Sequence, residues 1–300
     1  MPCYHPLHAF RSREPGINGK HNIAFSGAGE SIDLPCGQCI GCRLEKSRQW
    51  AIRCVHESQM HEKNSFITLT YNNENLPPTG SVDVKHWQKF MKRLRKNTGL
   101  KIRFFHCGEY GDQLGRPHYH ACMFGYDPDD KVFYKNTENG DKLYTSESLD
   151  QVWSMGNCYL GELNFASAAY TARYIMKKVT GKQALKHYES AINKQTGEIS
   201  IKTPEYITMS RKPGIGRSWY EKYKKDIYPG DFTVLNGKKI KSPRYYDYLL
   251  EQEDPELLIN LKQLRKQESK TQLHDQTKAR LLVREIVKKA QISSLNRSTH

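Results

Sequence analysis

Two histidines stand one residue apart in GRPHYHACMF, residues 115–124. Side chains on a strand alternate faces, so His118 and His120 project together while Tyr119 and Ala121 project to the other side. Two imidazoles held side by side can share a metal ion, or they can be polar residues on a solvated sheet face. The neighbourhood favours the metal. Glu109 lies near the end of the preceding segment, KIRFFHCGEYG, and the DQLG between the two has the make-up of a hairpin turn. A carboxylate on one strand can then reach the His pair on the next. Two imidazoles and one carboxylate leave positions on a divalent cation open for phosphate oxygens.

A metal site of that kind needs a nucleophile. The segment YTARYIMKK sets Tyr170 and Tyr174 at i and i+4, one turn apart on one helix face, with Lys177 and Lys178 following. Phenol has a pKa near ~10, so a nucleophilic tyrosine needs help from a nearby cation or base. Two aromatics at this spacing also suit a core, but the small residues around them and the lysines beyond suit the wall of a reactive site.

Two further clusters carry chemistry. CGQCIGC supplies Cys36, Cys39 and Cys42, and Cys3 lies near the start, whereas Cys54, Cys107, Cys122 and Cys158 are scattered. In a reducing compartment such clustering points to a metal before it points to disulfides. Three cysteines at this spacing can hold a structural Zn²⁺ with Cys3, His5 or Cys54 as fourth ligand; the alternative is a set of reduced thiols. MSRKPGIGRSWYEKYKK gathers Arg211, Lys212, Arg217 and Trp219, a candidate contact for a DNA backbone and otherwise an ordinary basic loop.

Composition agrees with a nucleic-acid partner. The 300 residues carry 47 Lys+Arg against 32 Asp+Glu, a net charge of +15, with 18 Tyr, 10 Phe and 4 Trp. Cations interleaved with aromatic rings suit single-stranded nucleic acid better than duplex. Mean hydropathy is −0.78, and no apolar run approaches the ~18 residues of a membrane span. The start, MPCYHPLHAF, has no signal-peptide pattern, so the expected location is the cytoplasm where the chain is made, with no membrane partner.

The elements that must position these residues are legible in outline. A helix is expected over about 44–62, with Leu44, Trp50, Ala51, Cys54 and Val55 as its apolar stripe. SFITLTY (65–71) reads as a strand, and Ser81 or Asp83 caps a helix running to about Lys96. Residues 101–111 and the RPHYHACMFGY segment form a hairpin, with Pro117 suited to its start. Residues 127–150 look like a polar insertion with an Asn-Gly turn, 156–164 is a strand, and FASAAYTARYIMKKVTG is a helix. A polar loop through TPEYITMSRKPGIGRSWYEKYKK, a small hairpin at VLNGKKIKSPRYY and a charged, helix-prone tail broken at Pro255 complete the chain. The order of elements implies an α+β fold with a central antiparallel sheet.

TLTY, RPHYHACMFG and a helix with YTARYIMKK resemble the three ordered motifs of the HUH endonucleases, the rolling-circle initiators and relaxases. The double tyrosine with YxxK resembles the two-tyrosine branch. PCGQCIGCR, GEYGDQLGRPHYH and MSRKPGIG are similar to the replication initiation proteins of gokushoviruses, microviruses with small circular single-stranded genomes. The likeness runs from about residue 35 to 245 and does not include the tail.

The resemblance implies a sheet of about five strands with flanking helices, a Cys-bearing N-terminal region and a helical C-terminal tail. It implies three regions: a Cys-rich segment and helix (1–63), an endonuclease domain (64–235), and a hairpin with charged helical tail (236–300). It implies Mg²⁺ or Mn²⁺ at Glu109, His118 and His120, nucleophiles at Tyr170 and Tyr174, and Lys177 as the motif lysine. The implied activity is nicking of single-stranded origin DNA through a 5′-phosphotyrosine link, followed by strand rejoining. With no GxxxxGK[ST] loop in the chain, unwinding would fall to a host helicase and the host replication machinery. Two other classes compete: a plasmid-type relaxase or initiator, and a non-enzymatic single-stranded DNA-binding or packaging protein.

Overall fold

The computed structural model describes residues 3–16, 21–111, 114–137, 140–177, 184, 188, 191–192, 196–271 and 273–294, without the side chains of 174–177, 191, 192 and 200. In chain order the elements are β1 (Leu7–Pro15), β2 (His21–Ala24), β3 (Glu30–Leu34), α1 (Ile40–Ser58), β4 (Asn64–Thr70), α2 (Val84–Thr98), β5 (Arg103–Tyr110) and β6 (Pro117–Phe124). There follow β7 (Val132–Asn136), β8 (Lys142–Thr145), α3 (Glu147–Trp153), β9 (Cys158–Gly161), α4 (Phe165–Lys177), β10 (Ala191–Ile192), β11 (Ile199–Ser200) and β12 (Tyr206–Met209). The chain continues through α5 (Arg217–Ile227), β13 (Phe232–Leu235), β14 (Lys238–Lys241), α6 (Arg244–Glu253), α7 (Pro255–Lys270) and α8 (Lys278–Ser293). Two compact units result, one from Met1–Lys46 with Lys262–Asn296, the other from Ser47–Leu261. No helix among the described residues is long and apolar enough to cross a membrane.

The first unit holds a three-stranded antiparallel sheet in the order β2-β1-β3. Its core is small: among the described residues, the buried apolar side chains are Cys3, Tyr4, Ala9, Cys39 and Leu281.

The second unit is built on a seven-stranded antiparallel sheet, β12-β5-β6-β4-β9-β8-β7. Alternation along β4 shows how its faces differ: Ser65, Ile67 and Leu69 are buried, whereas Asn64, Phe66, Thr68 and Thr70 are half-buried. The buried side meets α2, whose Trp87, Phe90, Met91 and Leu94 recur at helical spacing and line one face. Asp83 caps that helix, accepting a hydrogen bond from the Lys85 amide, and Gly99 ends it in the left-handed conformation, φ 68°. On the opposite side α4 lays Ala168 and Ala172 against Phe105, Cys122 and Phe124. The interior strand β6 is buried along its whole length, which is why histidines stand in so apolar a run. Tyr119, between the two histidines, points to the α2 side, where its hydroxyl lies 2.6 Å from that of Tyr71 and donates to the Asp83 carbonyl at 2.9 Å.

The α+β class, the antiparallel sheet, the Cys-bearing N-terminal region and the helical C-terminal region are as the sequence implies. Several details differ. The first helix begins at Ile40 and ends at Ser58 rather than spanning 44–62, and of its expected stripe Ala51 and Cys54 are fully buried while Leu44, Trp50 and Val55 are half-buried. The polar insertion forms the β7–β8 hairpin and α3, which lengthen the sheet; Asn139 of its expected turn lies outside the described residues. YITM is not loop but β12, paired with β5 through Ile207↔Cys107, and RSWYEKYKKDI is the helix α5. The expected small hairpin is present as β13–β14, its Asn236-Gly237 turn having positive φ at both residues, 48° and 74°.

Candidate active site

The β5–β6 hairpin sets Glu109 directly opposite His118, with Cys107 opposite His120. All three candidate ligands are buried, and their ligand atoms lie within 4.8 Å of one another. Glu109 Oε1 is 2.7 Å from His118 Nε2 and 3.1 Å from His120 Nε2. Burial opposes a charge on Glu109, yet hydrogen bonds from His118 and His120 outweigh it and hold the carboxyl far below the usual carboxylate range.

The outer nitrogens are held as well. His120 Nδ1 lies 2.9 Å from Thr68 Oγ1, and His118 Nδ1 lies 3.1 Å from the Arg116 carbonyl. A carbonyl can only accept, so His118 Nδ1 donates to Arg116, and a cation that displaces the Nε2 proton would meet a ring lone pair beside the carboxylate. A cation between these two acceptors satisfies both. Two imidazole nitrogens and one carboxylate oxygen fit Mg²⁺ or Mn²⁺ with positions left open, and the partners on Nδ1 orient the rings for it. Thr68 and Arg116 are the site residues that sequence reasoning missed. Only the cross-strand register, Thr68↔His120, brings the hydroxyl to the ring.

The tyrosine helix begins with a reciprocal cap: the Ser167 amide donates to Asn164 Oδ1 at 3.0 Å, and the Asn164 amide donates to Ser167 Oγ at 2.9 Å. Ala168 and Ala172 let α4 approach the sheet closely, and the Ser47 hydroxyl ties it to α1 by donating to the Ala169 carbonyl. This seats the half-buried Tyr170 against the site. Its ring stands edge-on to His120 with centroids 5.0 Å apart, and edge-on to Phe66 at 6.4 Å. Tyr174 and Lys177 fall on the same helix; their side chains lie outside the described residues.

Beyond α4 the same sheet face opens. Tyr159 pairs with Thr68 and therefore shares the face of His120. Tyr159 is half-buried, and Tyr134 on the exposed strand β7 lies 5.7 Å from it, ring to ring. Lys135 Nζ lies 5.6 Å from the Tyr134 ring. Arg211 and Lys212 are exposed just past β12, where the Ser210 amide donates to the Phe104 carbonyl. That places the turn roughly 17 Å down β5 from Glu109, at ~3.4 Å per residue. Arg217 is exposed and paired with Glu221 at 2.8 Å. Trp219 is half-buried, stacked on His56 at 3.5 Å and donating to Gln59 Oε1, so it braces α5 rather than standing open as a platform.

The thiols of Cys3, Cys36, Cys39 and Cys42 form a second cluster with ligand atoms within 4.8 Å of one another. Neither alternative fourth ligand joins it: Cys54 is buried in the core beside Phe105 and Cys122, and His5 Nε2 bonds Glu285 at 2.7 Å.

Comparison with known proteins bears on most of the chain. The family model described as replication-associated protein ORF2/G2P matches residues 64–179, the stretch holding every residue of the Glu-His-His site and the tyrosine helix. The replication-associated protein VP4 of Bdellovibrio phage phiMH2K is 35% identical over 267 residues, covering 83% of this chain and 79% of that protein. The chain belongs to the family of phage replication-associated proteins. Two further members are similar: ORF2 of Spiroplasma virus 4, 32% identical over 84% of this chain and 81% of its own length, and ORF4 of Chlamydia phage 1, 30% identical over 73% and 54%. No solved structure matches the chain. Membership in this family accords with the resemblance to gokushovirus replication proteins and gives the chain a role in viral replication.

Proposed function

We propose that this protein initiates replication of a small circular single-stranded genome by nicking single-stranded origin DNA and later rejoining it. The observation that carries the reading is the convergence of Glu109, His118 and His120 beneath the ring of Tyr170. A divalent cation bound there would supply the positive charge that draws a scissile phosphate in and stabilises charge building on its oxygens.

The protein's own groups would do the rest. Glu109, His118 and His120 hold that charge at a fixed point of the sheet, with Thr68 and the Arg116 carbonyl keeping the rings aimed. Tyr170 presents a phenol beside it. In the reaction, the tyrosine oxygen forms a bond to phosphorus and the bond to the departing 3′ oxygen breaks; the phenolic proton is lost and the 3′ oxygen gains one. One ester replaces another, so neither water nor a nucleotide triphosphate is consumed, and the phosphotyrosine keeps the energy for rejoining. Tyr174, one turn along α4, would serve as the second nucleophile and Lys177 as the cation that favours the phenolate.

The substrate reading rests on the open half of the sheet. Tyr159 and Tyr134 continue the metal-site face toward the edge strand, with rings and lysines that suit unpaired bases and their phosphates. Arg211 and Lys212 would take phosphates at the far end of β5. Strand separation falls to a host helicase in the host cytoplasm. The test is cleavage of a labelled single-stranded origin: His118→Ala and His120→Ala lose the covalent adduct while retaining DNA binding, and chelator does the same to the native protein until Mg²⁺ or Mn²⁺ is restored. Full cleavage in excess chelator would overturn the metal-assisted reading.

A further inference from the structure

The first unit has too little apolar core for its size. Its five buried apolar residues include Cys3 and Cys39, while Leu7, Ile23, Phe25, Leu264, Leu273, Leu282, Val283, Ile286 and Val287 are exposed. Small units of this kind need a staple, either a disulfide or a metal. Disulfides are absent: Cys3, Cys36, Cys39 and Cys42 are free thiols. The sulfurs of Cys3 and Cys39 are 3.9 Å apart, well beyond the ~2.05 Å of a disulfide bond. That separation is close to the edge of a tetrahedron of sulfurs around zinc, about 3.8 Å when each Zn–S distance is ~2.3 Å.

The backbone around the cluster is arranged for charged sulfur. The Tyr4 amide donates to Cys39 Sγ, the Cys36 amide to Cys3 Sγ and the Cys39 amide to Cys36 Sγ, each at 3.3 Å. Three amides aimed at three sulfurs are the donors that metal-bound thiolates accept, so the backbone is already placed for a cation among them. Tyr4, Ile40 and Leu281 pack around the cluster. The ligand set runs from residue 3 to residue 42 and so brackets the whole three-stranded sheet.

We propose that Cys3, Cys36, Cys39 and Cys42 hold one structural Zn²⁺, with Cys3 as the fourth ligand, closing the N-terminal sheet onto itself and onto α8. Four protein thiolates complete the tetrahedron and leave no position for substrate, so this ion takes no part in strand cleavage. It substitutes for the missing core, because metal binding to such a site is linked to folding.

The experiment uses the full chain purified without chelator, its metals counted by elemental analysis. About one zinc per chain is expected, the content of one closed site. His118→Ala and His5→Ala keep that zinc, whereas Cys3→Ser loses most of it and exposes residues 1–46 to limited proteolysis. Replacing zinc by Co²⁺ in the native chain gives the intense absorption of a tetrathiolate centre, a readout that does not depend on any variant folding. Zinc-free protein with the N-terminal unit still protease-resistant would overturn the proposal. So would iron in place of zinc, or a His5→Ala variant that loses the zinc while Cys3→Ser retains it.

Discussion

His120 is held from three directions: Glu109 meets its Nε2, Thr68 its Nδ1, and the Tyr170 ring stands edge-on to its plane. Of these contacts, the Thr68 hydroxyl can be removed without touching Glu109, either histidine or Tyr170. Thr68→Val keeps the shape of the side chain and removes the oxygen that orients the ring, so affinity for Mn²⁺ falls about 10–100-fold. Titrating cleavage with Mn²⁺ measures this as a rightward shift of half-saturation with cleavage recovered at high Mn²⁺; an unchanged midpoint would show that Thr68 does not position His120. At this scale the sequence was most informative. Strand alternation alone puts His118 and His120 on one face, and a short turn brings Glu109 opposite them. Thr68 and the Arg116 carbonyl escaped because their roles depend on register and on a backbone group, neither of which a residue pattern encodes.

Among the elements, the uneven cover of the sheet matters most. The helix α4 packs on β5, β6 and β12, while β4 and β9 turn half-buried side chains to that same face. If the uncovered part receives the strand leading to the scissile phosphate, Tyr159→Ala weakens binding of single-stranded origin DNA by roughly 1–3 kcal/mol, the worth of one base–aromatic stack. Tyr134→Ala weakens it similarly, and both variants form the covalent adduct at the normal rate once DNA is saturating. Unaltered affinity, read by fluorescence anisotropy without divalent metal, would place the DNA elsewhere and leave the cleavage chemistry untouched. The strand character of β12 and of β7–β8 was not legible in the sequence. YITM sits among polar residues and becomes a strand by pairing with β5, and β7 is exposed along its length. Periodicity cannot report a strand whose neighbours decide it. The helices α1, α2 and α4 were legible because their apolar spacing is local, whereas α3 and α5 lie in segments that read as polar insertion and polar loop.

For the whole molecule, net charge and buried histidines set the response to solution conditions. With a net charge of +15, DNA binding weakens steeply as salt rises, through release of counterions from phosphates. Acid acts on stability by another route. Burial holds His56, which stacks on Trp219 and bonds the Tyr246 hydroxyl, down to about 3. Burial likewise keeps His106, stacked on Trp87, well below the ordinary histidine value of 6.5. Between pH 6.5 and about 3 the unfolded chain binds protons at His56 that the folded chain refuses, so stability falls as pH drops through that window. Urea denaturation at a series of pH values checks this: His56→Gln reduces the slope of stability against pH by about one proton, and an unchanged slope would mean that His56 is protonated in the fold.

Covalent attack by the tyrosines of α4 is tested most directly by the position of the protein–DNA adduct. Native protein is incubated with single-stranded origin DNA and Mn²⁺, denatured, digested and mapped by mass spectrometry. The expected result is a phosphotyrosine on Tyr170 and, through successive rounds, on Tyr174. Tyr170→Phe and Tyr174→Phe each retain single-round cleavage with the adduct on the surviving residue, and the double variant forms none. An adduct on any other residue, or undiminished cleavage by the double variant, would contradict the account.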